Sequence, residues 1–382
     1  MNKRFFAALA AMVLTAAAFA QDFPAYLKIE GTKIIGCDKD DLPDNLVIPE
    51  GVTEIGSGTF SKCMYLESVV IPGSVTRIDG DDYYGGAFSG CTSLKSVTLA
   101  RGVKYIGDMT FSGCVSLADV TIAEGATEIG KEAFKGCTSL ASVTIPDGVT
   151  KIGESAFEDC TSLKSVTLAE GVKQIGSTMF GNCTSLESIT IPGSVTEIYG
   201  WAFEGCTSLK SVTISEGVTY IGRNAFFGCT SLASIEIPEG VTKINERTFF
   251  GCASLASVTI PESVTSIGEY AFRGNGLKTV TIPKGVKAIS ENAFDGCTSL
   301  ESVTLSRGVT AIVLFAFRGC TSLKSVSISR SVTEIGYNAF YNCGNLTVQY
   351  DGTKVQWEAI KKDSIGSFAV RCSDGEFSKQ DW

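Results

Sequence analysis

Apolar and polar residues follow one pattern along most of this chain, and it returns every 23 residues. In residues 140–160, "LASVTIPDGVTKIGESAFEDC", the apolar positions are Leu140, Val143, Ile145, Val149, Ile152, Phe157 and Cys160. Val143 and Ile145 alternate with Ser142 and Thr144, the period-two signature of a strand with one buried face. Pro146 ends that strand, because it has no amide hydrogen to give to a ladder. Gly153 marks a second turn, and "ESAF" has room for at most one helical turn before the pattern restarts.

Aligned on its Phe, the unit recurs thirteen times, at Phe60, Phe88, Phe111, Phe134, Phe157, Phe180, Phe203, Phe226, Phe249, Phe272, Phe294, Phe317 and Phe340. Two steps depart from 23. An insertion around "DGDDYYGG" adds five residues before Phe88, and "RGNGLK" at 273–278 is one residue short. So small a unit cannot bury its own apolar face and must stack on copies of itself. At roughly 1.5–3 kcal/mol per buried large side chain, its apolar residues offset the ordering entropy only between two neighbours. The predicted fold is a mostly-β solenoid of the α/β type, with one short parallel strand per coil.

Residues 46–346 hold the coils. The ends of such an array need covers, or the core would meet water and the sheet edge would recruit other chains. Residues 21–45 contain "AYLKIEGTKIIGC", which reads as an N-terminal hairpin cap. Residues 347–382 read as a strand, helix and strand forming a C-terminal cap. Within it Thr353 and Gln356 have capping-box spacing, and Val355, Ala359 and Ile360 fall on one helical face.

The phrase Leu-x-x-Val-x-Ile, then Pro-x-x-Val-x-x-Ile-Gly-x-x-Ala-Phe-x-x-Cys, resembles the BspA-like leucine-rich repeat family of bacterial surface proteins. The resemblance implies a curved, right-handed leucine-rich-repeat superhelix. It also implies roles in adhesion to host matrix proteins or to other cells.

The first twenty residues, "MNKRFFAALAAMVLTAAAFA", have a basic start, an apolar run and Ala18-Phe19-Ala20 before Gln21. That is the layout of a cleaved secretory signal, too short to be a membrane anchor. Export to a periplasm, the cell surface or the medium is expected, with no membrane span elsewhere. Cleavage removes Lys3 and Arg4 and takes the formal charge from −9 to −11. Nucleic acid is a poor partner for so acidic a chain, since phosphates are neutralised by Lys and Arg.

Twelve of the fourteen cysteines sit three residues after the repeat Phe, and Asn275 fills the missing slot. Stacked equivalent positions lie about 4.8 Å apart with parallel Cα–Cβ vectors, which opposes a disulfide. A buried thiol column is expected, its side chains meeting turn backbone as a thiol or an amide can. The disulfide state stays open from sequence; any bridge is expected at Cys37 and Cys372, one in each cap. No CxxC pair and no histidine occurs, so neither a metal site nor a cofactor is indicated.

Without histidine, Ser-His-Asp and Cys-His catalysis cannot be built. Acids such as Glu154, Glu170 and Glu239 occupy variable turn slots, "DKDD" and "DGDD" lack the spacing of a calcium loop, and the glycines mark turns. The chain reads as non-enzymatic, with contact through its surface. The strands offer only short Ser and Thr columns outward. Around the Ala-Phe turn, however, Trp201, Phe227, Phe250, Tyr270, Phe315, Tyr337 and Tyr341 replace the polar residues of other coils, and the insertion adds Tyr83 and Tyr84. These aromatics either form an exposed contact strip for an extracellular protein or glycan, or pack on neighbouring coils without a partner. A structural envelope or matrix role, through self-association, is the alternative function.

Overall fold

In Ser142–Ile145 the Ser and Thr are exposed while Val143 and Ile145 are buried, as strand alternation requires. The next coil repeats the strand in register, pairing Ser142 with Ser165, Val143 with Val166 and Ile145 with Leu168 in parallel. Because the step is 23 residues, each side chain lands on its own counterpart one coil away. The computed structural model describes residues 23–81 and 83–382; the signal-like segment 1–20 lies outside the described residues.

The long strands run from Asn45–Val47 to Thr347–Tyr350 and form sheets of four, six and four strands, the last extended to six by two strands of the C-terminal end. Breaks fall after Asp119–Thr121 and after Ser257–Thr259, the latter beside the shortened coil. Each coil also carries a second, two-residue strand that the sequence pattern does not announce, such as Lys151–Ile152. Between the two strands Val149 donates to the Pro146 carbonyl at 3.0 Å, closing a tight turn.

The Ala-Phe segment is a turn rather than a helix. Its amides bond to the following coil, as in Phe134 N to Ala156 O at 2.8 Å and Phe157 N to Met179 O at 3.0 Å. Ladders therefore tie the coils together on three sides. Inside, the thirteen Phe rings form one column, each fully or almost fully buried, with neighbouring centroids 5.0–5.8 Å apart and planes within 19°.

At the N-terminal end Leu27–Glu30 and Lys33–Cys37 form an antiparallel hairpin, and Lys33–Cys37 continues the short-strand stack in parallel with Glu54–Ile55. At the other end the helix Lys354–Glu358 starts on the Thr353–Gln356 capping box. It is shorter than the spacing suggests, and its buried residue is Trp357. Val355, expected beside Ala359 and Ile360, is 73% exposed. Ser367–Cys372 pairs in parallel with Thr347–Tyr350, and a further strand, Gly375–Asp381, lies antiparallel on it.

Candidate functional site

Three slots of each coil flank the buried Phe, one residue after it and two or three residues before it, and in most coils they are at least partly exposed. The slot two before has left-handed backbone in eleven coils, from Met109 to Asn338, with φ of 52–57°. Only glycine and, less readily, asparagine adopt that geometry at low cost. Asn fills it at Asn224, Asn292 and Asn338, yet Trp201, Tyr270 and Phe315 occupy it too.

Most of the aromatics singled out above form a ridge with arginines from the same slots. Arg223 lies 4.3 Å from the centre of the Trp201 ring, Arg247 4.9 Å from Tyr270, and Arg318 4.6 Å from Phe315. Phe227 stacks on Phe250 at 4.9 Å, and Phe315 meets Tyr337 edge-on at 5.8 Å. Trp201, Phe227, Phe250, Tyr270 and Phe315 are half-buried, whereas Tyr337 and Tyr341 are exposed.

Asp295 braces the ridge. It occupies the slot after Phe294, and its side chain is only 6% exposed. Arg318 grips it with two bonds, Nε to Oδ1 at 2.9 Å and Nη2 to Oδ2 at 2.7 Å, while Arg273 Nε lies 3.0 Å from Oδ2. The hydrogen bond to Asp295 raises the Arg318 pKa further. The column thus reads Phe227, Phe250, Arg273, Asp295, Arg318, Tyr341 on successive coils. Tyr83 and Tyr84 stand apart, exposed in the insertion with their rings edge-on at 4.7 Å.

The arginines and Asp295 escape a search for aromatics alone. Their signal is positional, because all five stand in the same three slots as the rings.

Replacing Trp201 with Asn is expected to leave stability unchanged or raise it by up to about 1 kcal/mol. Relief of left-handed strain outweighs or balances a half-buried cation–π contact. A urea midpoint clearly below wild type would contradict this.

The hollows of the surface are open. One of about 830 Å³ lies at the first break in the long-strand sheet and is lined by Asp119, Thr121, Glu124, Thr144, Asp147 and Thr167. Glu124 is 74% exposed and ion-paired with Arg101 at 2.8 Å, which does not suit a general acid. Among the described residues no group of three or more Cys, Asp or Glu is placed to hold a metal ion, and no helix is long and apolar enough to cross a membrane.

Comparison with family models finds the BspA type leucine rich repeat region at residues 41–142, 127–256 and 242–356. The chain belongs to this BspA-type family. Among solved structures it is similar to a leucine-rich repeat protein from Bacteroides ovatus, 28% identical over 86% of this chain and 100% of that one, with a TM-score of 0.55. It is also similar to a leucine rich cell surface protein from Faecalibacterium prausnitzii, 31% identical over 90% and 100%, with a TM-score of 0.50. The pneumococcal vaccine antigen PcpA, 19% identical over 90% and 97% with a TM-score of 0.53, shares the fold. No curated protein matches the chain.

In this BspA-type array the cysteine ladder links coils through hydrogen bonds. Cys206 Sγ donates to the Phe180 carbonyl at 3.1 Å, and that oxygen also accepts from the Cys183 amide at 3.2 Å. The arrangement repeats from Cys91 to Cys343. Asn275 keeps it, its Nδ2 donating to Phe249 O at 2.7 Å, while its buried Oδ1 has no partner. Burial raises the Cys91 thiol to about 11 and those of Cys160, Cys206 and Cys252 to about 12. All fourteen cysteines are free thiols in the structure. Cys37 donates to the Thr59 carbonyl at 3.2 Å, and a hydrogen bond to Cys63, then burial, raises its pKa. Cys372 lines a hollow at the opposite end.

Proposed function

We propose that this chain is an exported, non-enzymatic binding protein that holds an extracellular protein or glycan on the ridge from Trp201 to Tyr341. The observation carrying this reading is the ridge itself. Trp201, Tyr270 and Phe315 stand on left-handed backbone, and its arginines are fixed by Asp295 and by ring faces. Trp, Tyr and Arg dominate the energetics of protein interfaces, and side chains already held in place lose little freedom on binding. The signal-like residues 1–20 and the cell-surface neighbour from Faecalibacterium support an extracellular setting.

The test is saturable retention of the mature protein on an array of purified extracellular-matrix proteins and glycans. Binding to one or a few members, without chemical change in them, is expected. Retention on none of them, or turnover of one, would overturn the proposal.

A further inference from the structure

One rim of the solenoid reverses its charge. The turn after each long strand is closed by a hydrogen bond such as Val241 N to Pro238 O at 3.0 Å, and the residue after the Pro projects from its corner. With Ala or Ser in place of the Pro in six coils, that corner is from coil to coil Glu50, Gly73 and Arg101, then Glu124, Asp147, Glu170, Gly193, Glu216, Glu239 and Glu262, and then Lys284, Arg307 and Arg330. All of them are exposed. Beyond Arg101, which pairs with Glu124 at 2.8 Å, the sign changes once, at the shortened coil, where the long-strand sheet is also interrupted.

The three acids and three cations flanking that point have little to satisfy them within the chain. Among the described residues Glu216, Glu239, Glu262, Lys284 and Arg330 make no ion pair, and Arg307 comes no nearer than 4.0 Å to Asp351. Elsewhere on the molecule, charges on successive coils do pair, as Lys210 does with Glu187 and Lys324 with Glu301.

We infer that this rim is a docking surface for a second copy of the chain, laid antiparallel across a twofold axis between Glu262 and Lys284. In that arrangement Lys284 faces the partner's Glu262, Arg307 the partner's Glu239, and Arg330 the partner's Glu216. The axis repeats all three pairs. Two features select a second copy over any other anion. The six charges span five steps of about 4.8 Å, roughly 24 Å, and only another such array repeats carboxylates on the same pitch. The sequence of signs is also its own complement when reversed, which is what a self-complementary twofold contact needs. Exposed ion pairs are individually weak, so the dimer is salt-sensitive.

The test is sedimentation velocity of the mature chain at about 0.01 M and about 1 M salt, where the screening length falls from about 30 Å to about 3 Å. A dimer at low salt, weakened at least about tenfold at high salt, is expected. Two triple variants complete it: Glu216→Lys/Glu239→Lys/Glu262→Lys and Lys284→Glu/Arg307→Glu/Arg330→Glu. Each alone should sediment as a monomer while keeping wild-type circular dichroism, and an equimolar mixture should recover the dimer. A wild-type monomer at low salt would overturn the inference. So would a triple variant that still self-associates, or a mixture of folded variants that stays monomeric. The Trp201–Tyr341 ridge takes no part in this contact, so its binding reading stands or falls separately.

Discussion

Replacing Phe203 with Ala is expected to cost about 3–5 kcal/mol and to divide the unfolding of the array into two parts. The ring is completely buried and stacked on both sides, 5.6 Å from Phe180 and 5.2 Å from Phe226. Its removal leaves a cavity at mid-array and takes away two ring contacts at once. Each coil rests only on its neighbours, so a weak coil in the middle uncouples the halves. Phe60 has a single ring neighbour, Phe88, and its loss would shorten the array rather than split it. Urea unfolding read by circular dichroism should be broader for Phe203→Ala than for Phe60→Ala. A cost under about 1 kcal/mol at Phe203 would mean that the ring column does not hold the coils together.

The second large effect is alkaline unfolding. Burial raises nine ladder thiols, those of Cys91, Cys114, Cys137, Cys160, Cys183, Cys206, Cys229, Cys252 and Cys320. Their ordinary value is 9.0, and the values for Cys91 and Cys206 rise to about 11 and about 12. Above pH 9 the unfolded chain loses these protons while the folded chain keeps them. Folding therefore weakens as pH rises, by up to about 1.4 kcal/mol per pH unit for each thiol, until the folded value is reached. Below pH 9 the thiols are neutral in both states, and the contribution is intact. With reductant present, cooperative loss of circular dichroism is expected between about pH 9 and about pH 11, and thiolate absorbance should appear with it rather than before. A Cys206→Ala variant should show a shallower slope. A fold that persists to about pH 12 would contradict the buried, neutral state of the ladder.

Much of this architecture was legible in the sequence because the repeat is a strict length. A fixed step puts like on like, so the strand alternation, the Phe column and the thiol column could be read from spacing alone. The exchange of Cys for Asn275 even indicated what the thiol does, since both side chains can donate to the same Phe carbonyl. The two-residue strands were hidden because a pair such as Lys151–Ile152 is too short to show a period. The C-terminal helix Lys354–Glu358 stops before Ala359 and Ile360 and turns Trp357 rather than Val355 inward, so the face expected from Val355, Ala359 and Ile360 does not form. At the ridge the aromatic members stood out, but the left-handed backbone beneath Trp201, Tyr270 and Phe315 did not. Nothing in those residue types favours positive φ; the repeat imposes it on whatever occupies the slot. Asp295 was hidden for a related reason, being an acid in a variable slot until its two arginine neighbours are seen.

The central claim is that the protein acts by contact through the ridge. It is tested most directly by titrating wild-type chain and a Trp201→Asn/Tyr270→Asn/Phe315→Asn variant, side by side, onto the array member that retains the wild type. Saturable binding is expected for the wild type and at least about a hundredfold weaker binding for the variant, as loss of about 2.7 kcal/mol of hot-spot energy implies. Undiminished affinity in a variant that keeps the wild-type urea midpoint would contradict it.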